Sequence, residues 1–248
     1  MKISSTSEIN GREMNQDEQL IASKIIGNNK LLFCLVADGM GGTVDGRAAA
    51  LITKKLMERW FENNIVDLLM EPDCLHAVKK SLTEALLDAN EKAIIYSRER
   101  GVTTGSTAAI VIFFRNEYIV ANVGDSRVYR FAPHKSVQIT KDQTLAQREV
   151  DRGNLTLEEA KTDKRSHTLL QCIGMDEDLE PDFFRGPARK GDFFLICSDG
   201  MYNRVDIEEL GKEIRKKGKG TKKKLIDLTI LAKEKGEKDN ITGILVEV

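Results

Sequence analysis

The chain is poor in the residues that most metal and disulfide frameworks use, with 3 histidines and 4 cysteines among 248 residues. Cys34, Cys74, Cys172 and Cys197 have no paired spacing, and two of them sit inside apolar runs, so they read as reduced core thiols. With so little histidine, any metal site must be rich in carboxylates. No apolar run is long enough to span a bilayer, and the opening MKISSTSEINGRE lacks the apolar core of a signal peptide, which places the expectation in the cytoplasm, away from membranes. Nor is there an excess of either charge. With 38 basic against 39 acidic residues, the chain has no global attraction to nucleic acid or to an anionic surface, so partners must be recognised locally. Internal repeats, low-complexity segments and interdomain linkers are absent as well. A single domain over 1–248 is the expectation, and the 41% of hydrophobic residues supplies its core.

What is present centres on Leu31 to Gly42, LLFCLVADGMGG. An apolar run too short for a free-standing helix ends at Asp38, and Gly39, Gly41 and Gly42 leave room for backbone to approach a ligand. Two readings of Asp38 stand side by side: a metal ligand delivered by a buried strand, or the first residue of an Asp-Gly turn.

The rest of the chain supplies the elements. Lys2 to Asn10 and Leu20 to Ile26 read as strands either side of a polar loop. Ala48, Ile52, Leu56 and Trp60 mark the buried stripe of a helix, and Asp73 to Arg100 a long second helix antiparallel to it, ended by Gly101. Gly105 to Arg115, Glu117 to Val123, Ser126 to Phe131 and Ser136 to Thr140 read as an antiparallel meander. Lys141 to Gly174 is a polar, mobile surface insert with a capped helix after Gly153. Asp192 to Cys197 is a buried strand, Asp206 to Lys217 and Lys222 to Lys235 are helices, and Ile241 to Val248 is the last strand. Arg215 to Lys224, with seven basic residues, reads as a solvated loop between helices. Strand blocks and helix pairs without a βαβ rhythm indicate α+β with antiparallel sheets.

Asp38, Asp125, Asp199 and Asp239 share a context, each at a strand edge beside Gly or Asn. Several unpaired carboxylates are costly to bury together. A pair of divalent cations removes the repulsion, and hard oxygen ligands select Mg²⁺ or Mn²⁺ over zinc. Two such ions about 4 Å apart can share a water, lower its pKa and present hydroxide in line with a phosphorus–oxygen bond. Arg12, in a loop, is placed to clamp the phosphate.

Arg12-x-x-x-Gln16-Asp17, Asp38-Gly-Met-Gly-Gly42, Gly105-Ser-Thr107, Asn122-Val-Gly-Asp-Ser-Arg127, Cys197-Ser-Asp-Gly200 and Asp239-Asn-Ile-Thr242 together resemble the metal-dependent type 2C (PPM) serine/threonine protein phosphatases. Met40 and the insert DQTLAQREVDRGNLTLEEA point to their compact bacterial branch. The resemblance implies a four-layer sandwich of two antiparallel β-sheets flanked by pairs of α-helices. It implies that Asp38 bridges two Mn²⁺ or Mg²⁺ ions, that the Gly39 carbonyl binds the first, that Asp199 and Asp239 bind the second, and that Asp125 with Asp199 holds a weaker third. Arg12 matches the phosphate-binding arginine, while Asp17 and Asn240 would orient metal-bound waters. Gln16 stands where many relatives carry glutamate, and Thr162-Asp163 replaces the usual His-Pro pair of the flap over 141–174. The implied activity is hydrolysis of phosphoserine and phosphothreonine by metal-activated hydroxide, in a monomer that acts on phosphoproteins and opposes a serine/threonine kinase.

Other phosphatase chemistries fit poorly. Six residues separate Cys197 from Arg204, whereas a cysteine-based phosphate loop needs five. Met40 stands where an aspartyl-phosphate enzyme wants its second Asp, and no Gly-Lys-Ser/Thr follows Gly42. The competing class is a catalytically silent relative that binds phosphoproteins as an adaptor, which is expected to have lost metal ligands.

Overall fold

The computed structural model describes residues 1–40, 45–175 and 178–248; Gly41 and Gly42 lie outside the described residues. Strand β3 (Asn29–Ala37) buries both of its faces, and the alternation of its side chains defines the layers. Leu31, Phe33, Leu35 and Ala37 point into one cluster, with Met57, Trp60, Phe61 and Leu82 from helices. Leu32, Cys34 and Val36 point the other way, onto Phe194, Ile196, Ile244 and Val246 of a second sheet.

The first sheet has the order β10-β7-β6-β3-β2 and the second β1-β12-β11-β8-β9. The strands are β1 (Lys2–Glu8), β2 (Glu18–Ile26), β3, β4 (Gly39–Met40), β5 (Gly105–Ser106), β6 (Ala108–Phe114), β7 (Glu117–Val123), β8 (Arg127–Ala132), β9 (Lys135–Gln138), β10 (Asp182–Pro187), β11 (Phe193–Cys197) and β12 (Ile241–Glu247). All ladders in both sheets are antiparallel. Helices α1 (Arg47–Asn63), α2 (Ile65–Met70) and α3 (Cys74–Arg100) cover the first sheet. Helices α6 (Ile207–Arg215) and α7 (Thr221–Glu234) cover the second, where Leu210, Ile214, Leu225 and Leu228 meet Tyr129, Phe131, Leu195 and Leu245. The insert carries α4 (Leu145–Asp151) and α5 (Leu157–Thr162). The expected four-layer α+β sandwich is therefore present. No helix among the described residues is long and apolar enough to cross a membrane.

Local signals placed several ends correctly. The Asp73 carboxylate accepts the His76 N–H at the start of α3, and Gly101 takes φ 64° at its end. Thr156 and Glu159 form a reciprocal capping box on α5. Cys34 and Cys197 are buried and unpaired, as core thiols.

Three expectations need correction. The stripe of α1 is turned: Ala49, Ala50, Thr53, Met57, Trp60 and Phe61 are buried, while Ile52 and Leu56 pack at the margin. Small residues facing the sheet bring the helix close, and Glu18 on β2 holds it there through Arg47 and Lys54. The meander is also broken. β6 and β7 belong to one sheet and β8 and β9 to the other, and the chain crosses between them at Gly124, which has φ 90°. Gly105 to Arg115 is not one strand, because Thr107 separates β5 from β6. Neither α2 nor β10 was anticipated: the first is too short to show a period, and the second is half-exposed and ends Gly-Pro.

The basic residues of 215–224 are exposed or half-buried, except Lys224. Lys224 is buried, its ammonium donates to the carbonyls of Ile214 and Lys216 past the end of α6, and it lies over the Phe193 ring. These are carbonyls that a helix C-terminus leaves without partners. Lys224→Met, which keeps the stem and removes the donor, is expected to cost about 2 kcal/mol of unfolding free energy, since bonds to charged donors each contribute roughly 1.5–3 kcal/mol. Urea denaturation reads this directly, and an unchanged midpoint would mean that the clasp contributes nothing.

Candidate functional site

Asp38 is the first residue beyond β3, and its backbone is pinned on both sides by Thr107. The Asp38 N–H donates to Thr107 Oγ1 at 3.0 Å, and the Thr107 N–H donates to the Asp38 carbonyl at 3.0 Å. Gly39 then pairs with Ser106 in the short β4–β5 ladder. A Cβ on Gly39 would stand 2.4 Å from the Gln16 carbonyl oxygen and 2.7 Å from that of Gly46, so no larger residue fits between those two strands of backbone. Thr107 Oγ1 also lies 2.6 Å from Ser126 Oγ, which ties the end of β3 to the crossing that carries Asp125.

Asp125 follows the Gly124 crossing, and its carbonyl accepts the Tyr202 hydroxyl at 2.7 Å. The Tyr202 ring lies under the guanidinium of Arg127, 3.6 Å from its centre. Arg127 in turn grips Asp142 at the base of the insert and donates to the Tyr129 hydroxyl. Asp199 opens a single 3-10 turn, Asp199–Met201, after β11, and one of its oxygens receives the Asn203 amide at 3.0 Å. Asp239 precedes β12. Its two oxygens accept Arg12 Nε at 2.8 Å and Arg12 Nη2 at 2.5 Å, a two-pronged pair that spends the guanidinium expected to hold phosphate.

The pairing of β1 with β12 is what brings the N-terminal loop to Asp239. Asn240 then fastens that loop: its amide donates to the carbonyls of Ile9 and Met14, and its oxygen accepts the Gln16 N–H at 2.9 Å. Both polar ends of Asn240 are thus committed to backbone, and the side chain positions Arg12 and Gln16 from behind.

Arg12, Gln16, Asp38, Gly39, Asp125, Asp199 and Asp239 line one cleft of about 200 Å³. Asp17 lies buried beneath it, with Oδ2 accepting the Ser198 hydroxyl at 2.8 Å; its Oδ1 is buried with no donor among the described residues. The charges press on one another. Burial, then Asp17, Asp199, Asp125 and Asp239, push the Asp38 carboxyl well above the usual range. Burial and then Asp199 and Asp142 push Asp125 up to about 8. Burial raises Asp17 to about 6 against hydrogen bonds from Thr242 and Ser198, and burial followed by Asp239 raises Asp199. An orphaned buried oxygen and a set of hard, mutually repelling carboxylates fit divalent cations with oxygen preference. Burial instead pushes the Cys197 thiol far up, which removes it as a nucleophile.

Sequence reasoning missed three contributors. Thr107 lay inside a quoted motif, but nothing in the sequence gave its hydroxyl a partner. Arg127 likewise had no assigned contact. His167, exposed on the insert, presents a ring nitrogen within 4.8 Å of carboxylate oxygens of Asp125 and Asp199; the only available signal was a histidine in a chain with few.

The family model described as Protein phosphatase 2C matches residues 5–226. Serine/threonine phosphatase stp of Listeria monocytogenes serotype 4b is 30% identical over 215 residues, covering 86% of this chain and 83% of its own. Stp1 of Staphylococcus aureus, a serine/threonine phosphatase of known crystal structure, superposes with a TM-score of 0.89 at 28% identity, over 100% of this chain and 94% of that one. The catalytic domain of PstP, solved in complex with 2 manganese ions, superposes with a TM-score of 0.79 over 99% of this chain and 97% of that one; at 24% identity it speaks for the fold alone.

The raised carboxyls make a pH dependence. In the folded chain Asp17 and Asp125 keep protons to about pH 6 and about pH 8, whereas the unfolded chain releases them near 3.8. Their contribution to stability is complete below the unfolded value and is lost as pH rises through the folded values. In chelator, the melting temperature is therefore expected to fall between about pH 4 and about pH 8, and Mn²⁺ to abolish that fall. A chelated protein that melts higher at the alkaline end would show that the carboxylates do not crowd as described.

Proposed function

The chain belongs to the protein phosphatase 2C family and is a serine/threonine protein phosphatase; from that premise we propose that this cleft hydrolyses phosphoserine and phosphothreonine on proteins with two Mn²⁺ or Mg²⁺ ions held by Asp38, the Gly39 carbonyl, Asp199 and Asp239. The observation that carries the reading is the convergence of Asp38, Asp125, Asp199 and Asp239 on one cleft, with a buried Asp17 oxygen that has no donor among the described residues. Bound there, the ions would supply an activated water at neutral pH and offset the charge of the phosphate.

The chain's own groups do the rest. Asp38 would be the ligand shared by both ions, and the Thr107 bonds to its backbone N–H and carbonyl fix the backbone from which its carboxylate projects. Asp125 with Asp199 would hold a third, weaker ion. One buried Asp17 oxygen has no donor among the described residues and would be able to accept from a water beside the ions, a role the neutral Gln16 amide would share without adding charge. Arg12 stands at the rim. To meet a phosphate it exchanges one anionic partner, Asp239, for another, so the resting pair keeps the guanidinium extended into the cleft. Phosphoproteins, and the serine/threonine kinases that make them, are the implied partners. A silent adaptor has nothing in its favour, because every aspartate of the set is retained.

Asp38→Asn is expected to lose the Mn²⁺ heat in isothermal titration and to drop phosphopeptide hydrolysis by more than about a hundredfold, since even outer partners of metal ligands cost about 10–100-fold. Asp125→Asn is expected to keep the tight ions and to slow turnover or shift its Mn²⁺ dependence. Wild-type metal binding and rate in Asp38→Asn, or full wild-type activity in excess chelator, would overturn the reading. An Asp that served only as a turn former would tolerate Asn.

Arg12→Ala is expected to raise KM about tenfold while kcat changes less, because a charged two-pronged bond acts on the bound phosphate before and during transfer. Unchanged kinetics would make the Asp239 pair the whole function of Arg12.

A further inference from the structure

We propose that His167 is a cation ligand: its imidazole joins Asp125 and Asp199 to make the third site a mixed nitrogen and oxygen site that favours Mn²⁺ and other first-row transition ions over Mg²⁺. The inference rests on the reading of the cleft as a metal centre and goes beyond it in ligand, in ion preference and in what the insert does.

The donors are already gathered. One ring nitrogen of His167 and one oxygen each from Asp125 and Asp199 lie within 4.8 Å of one another. Donors on opposite sides of a cation with bonds of about 2.0–2.2 Å stand about 4.4 Å apart, so a common ion needs shifts of only tenths of an ångström. Independently of that spacing, Asp125 is 9% exposed and lines the cleft, and no side chain among the described residues donates a hydrogen bond to its carboxylate. Arg127, two residues on, spends its guanidinium on Asp142 and Tyr129. A nearly buried carboxylate that faces a cavity with no side-chain donor among the described residues is short of the positive charge that would offset its burial, which the neighbouring Arg127 supplies only in part.

The backbone holds His167 at that position. Leu145 N–H donates to the Thr168 carbonyl at 2.9 Å, and Leu170 N–H to the Gln143 carbonyl at 2.7 Å. The Gln143 side-chain oxygen accepts the Gly124 N–H at 2.8 Å. The segment carrying His167 is therefore hydrogen-bonded, through Gln143, to the turn that carries Asp125. A ligand on the insert would make occupancy of the third site and the seating of the insert over the cleft a single event.

Chemistry decides the ion. Mg²⁺ prefers oxygen and water, whereas imidazole suits transition ions. Exchanging an oxygen ligand for His167 thus tilts the site away from Mg²⁺ without closing it to Mn²⁺.

The test uses Mn²⁺ itself on the full chain. Pulsed electron paramagnetic resonance at saturating Mn²⁺ is expected to show ¹⁴N coupling from one imidazole that vanishes in His167→Ala and in Asp125→Asn. Titration calorimetry is expected to show the weak Mn²⁺ site of His167→Ala weakened about tenfold or more, the tight sites unchanged and weak Mg²⁺ binding little altered. His167 is exposed, so circular dichroism of the variant is expected to match wild type. Tight Mn²⁺ binding with no imidazole coupling, or coupling and weak affinity unchanged in His167→Ala, would overturn the assignment while leaving the two-ion centre standing. Wild-type protein that binds no Mn²⁺ would remove both.

Discussion

Five carboxylates from five separate chain segments are held within reach of one another, and the rest of the molecule is arranged to tolerate that. Two like charges about 4 Å apart repel by about 4 kcal/mol at an intermediate effective dielectric, and each added carboxylate multiplies the pairs. Left to the chain alone, the cost falls on the carboxyls themselves: burial and mutual repulsion drive Asp38 well above its usual range and Asp125 to about 8. Cations would relieve the same stress, so affinity for metal and the repulsion among the carboxylates would be one quantity seen from two sides.

The scaffold works against that repulsion by fixing backbone. Asp38 is locked by two bonds to Thr107, and Asp125 is held by the Tyr202 hydroxyl on its carbonyl. Gly39, Gly124 and Gly200 occur where a Cβ would strike a neighbour; at Gly200 it would stand 2.0 Å from the Asn240 carbonyl oxygen. None of these contacts touches a phosphate. Each removes a direction in which a repelled carboxylate could otherwise retreat.

Arg12 is a counter-charge seated on the cluster at Asp239. It is separated from Asp239 by 227 positions in sequence and reaches it because β1 and β12 pair and Asn240 fastens the loop between β1 and β2. The same Asn240 therefore sets the positions of both Arg12 and Gln16 at the cleft through backbone bonds alone. Arg127 plays the comparable part on the other side, between the base of the insert at Asp142 and the ring of Tyr202.

Much of this was legible from residue order. β3 announced itself as an apolar run buried on both faces. Four aspartates at strand edges beside Gly or Asn marked the cluster, and caps at Asp73, Thr156 and Gly101 marked helix ends, because each signal is local and needs only neighbours in the chain. The sheet assignment was not legible: β7 and β8 read as adjacent strands of a meander, and only packing separates them, since Gly124 permits a crossing without requiring one. Nor could spacing reveal that Thr107 would clasp Asp38, that Arg12 would rest on Asp239, or that His167 would reach Asp125 across an insert. Residue type and period determined which groups could bind metal and which faces would be buried. Which of those groups meet was decided by sheet pairing and layer packing, because contacts between residues far apart in the chain depend on how whole strands register and stack, and no local preference encodes that.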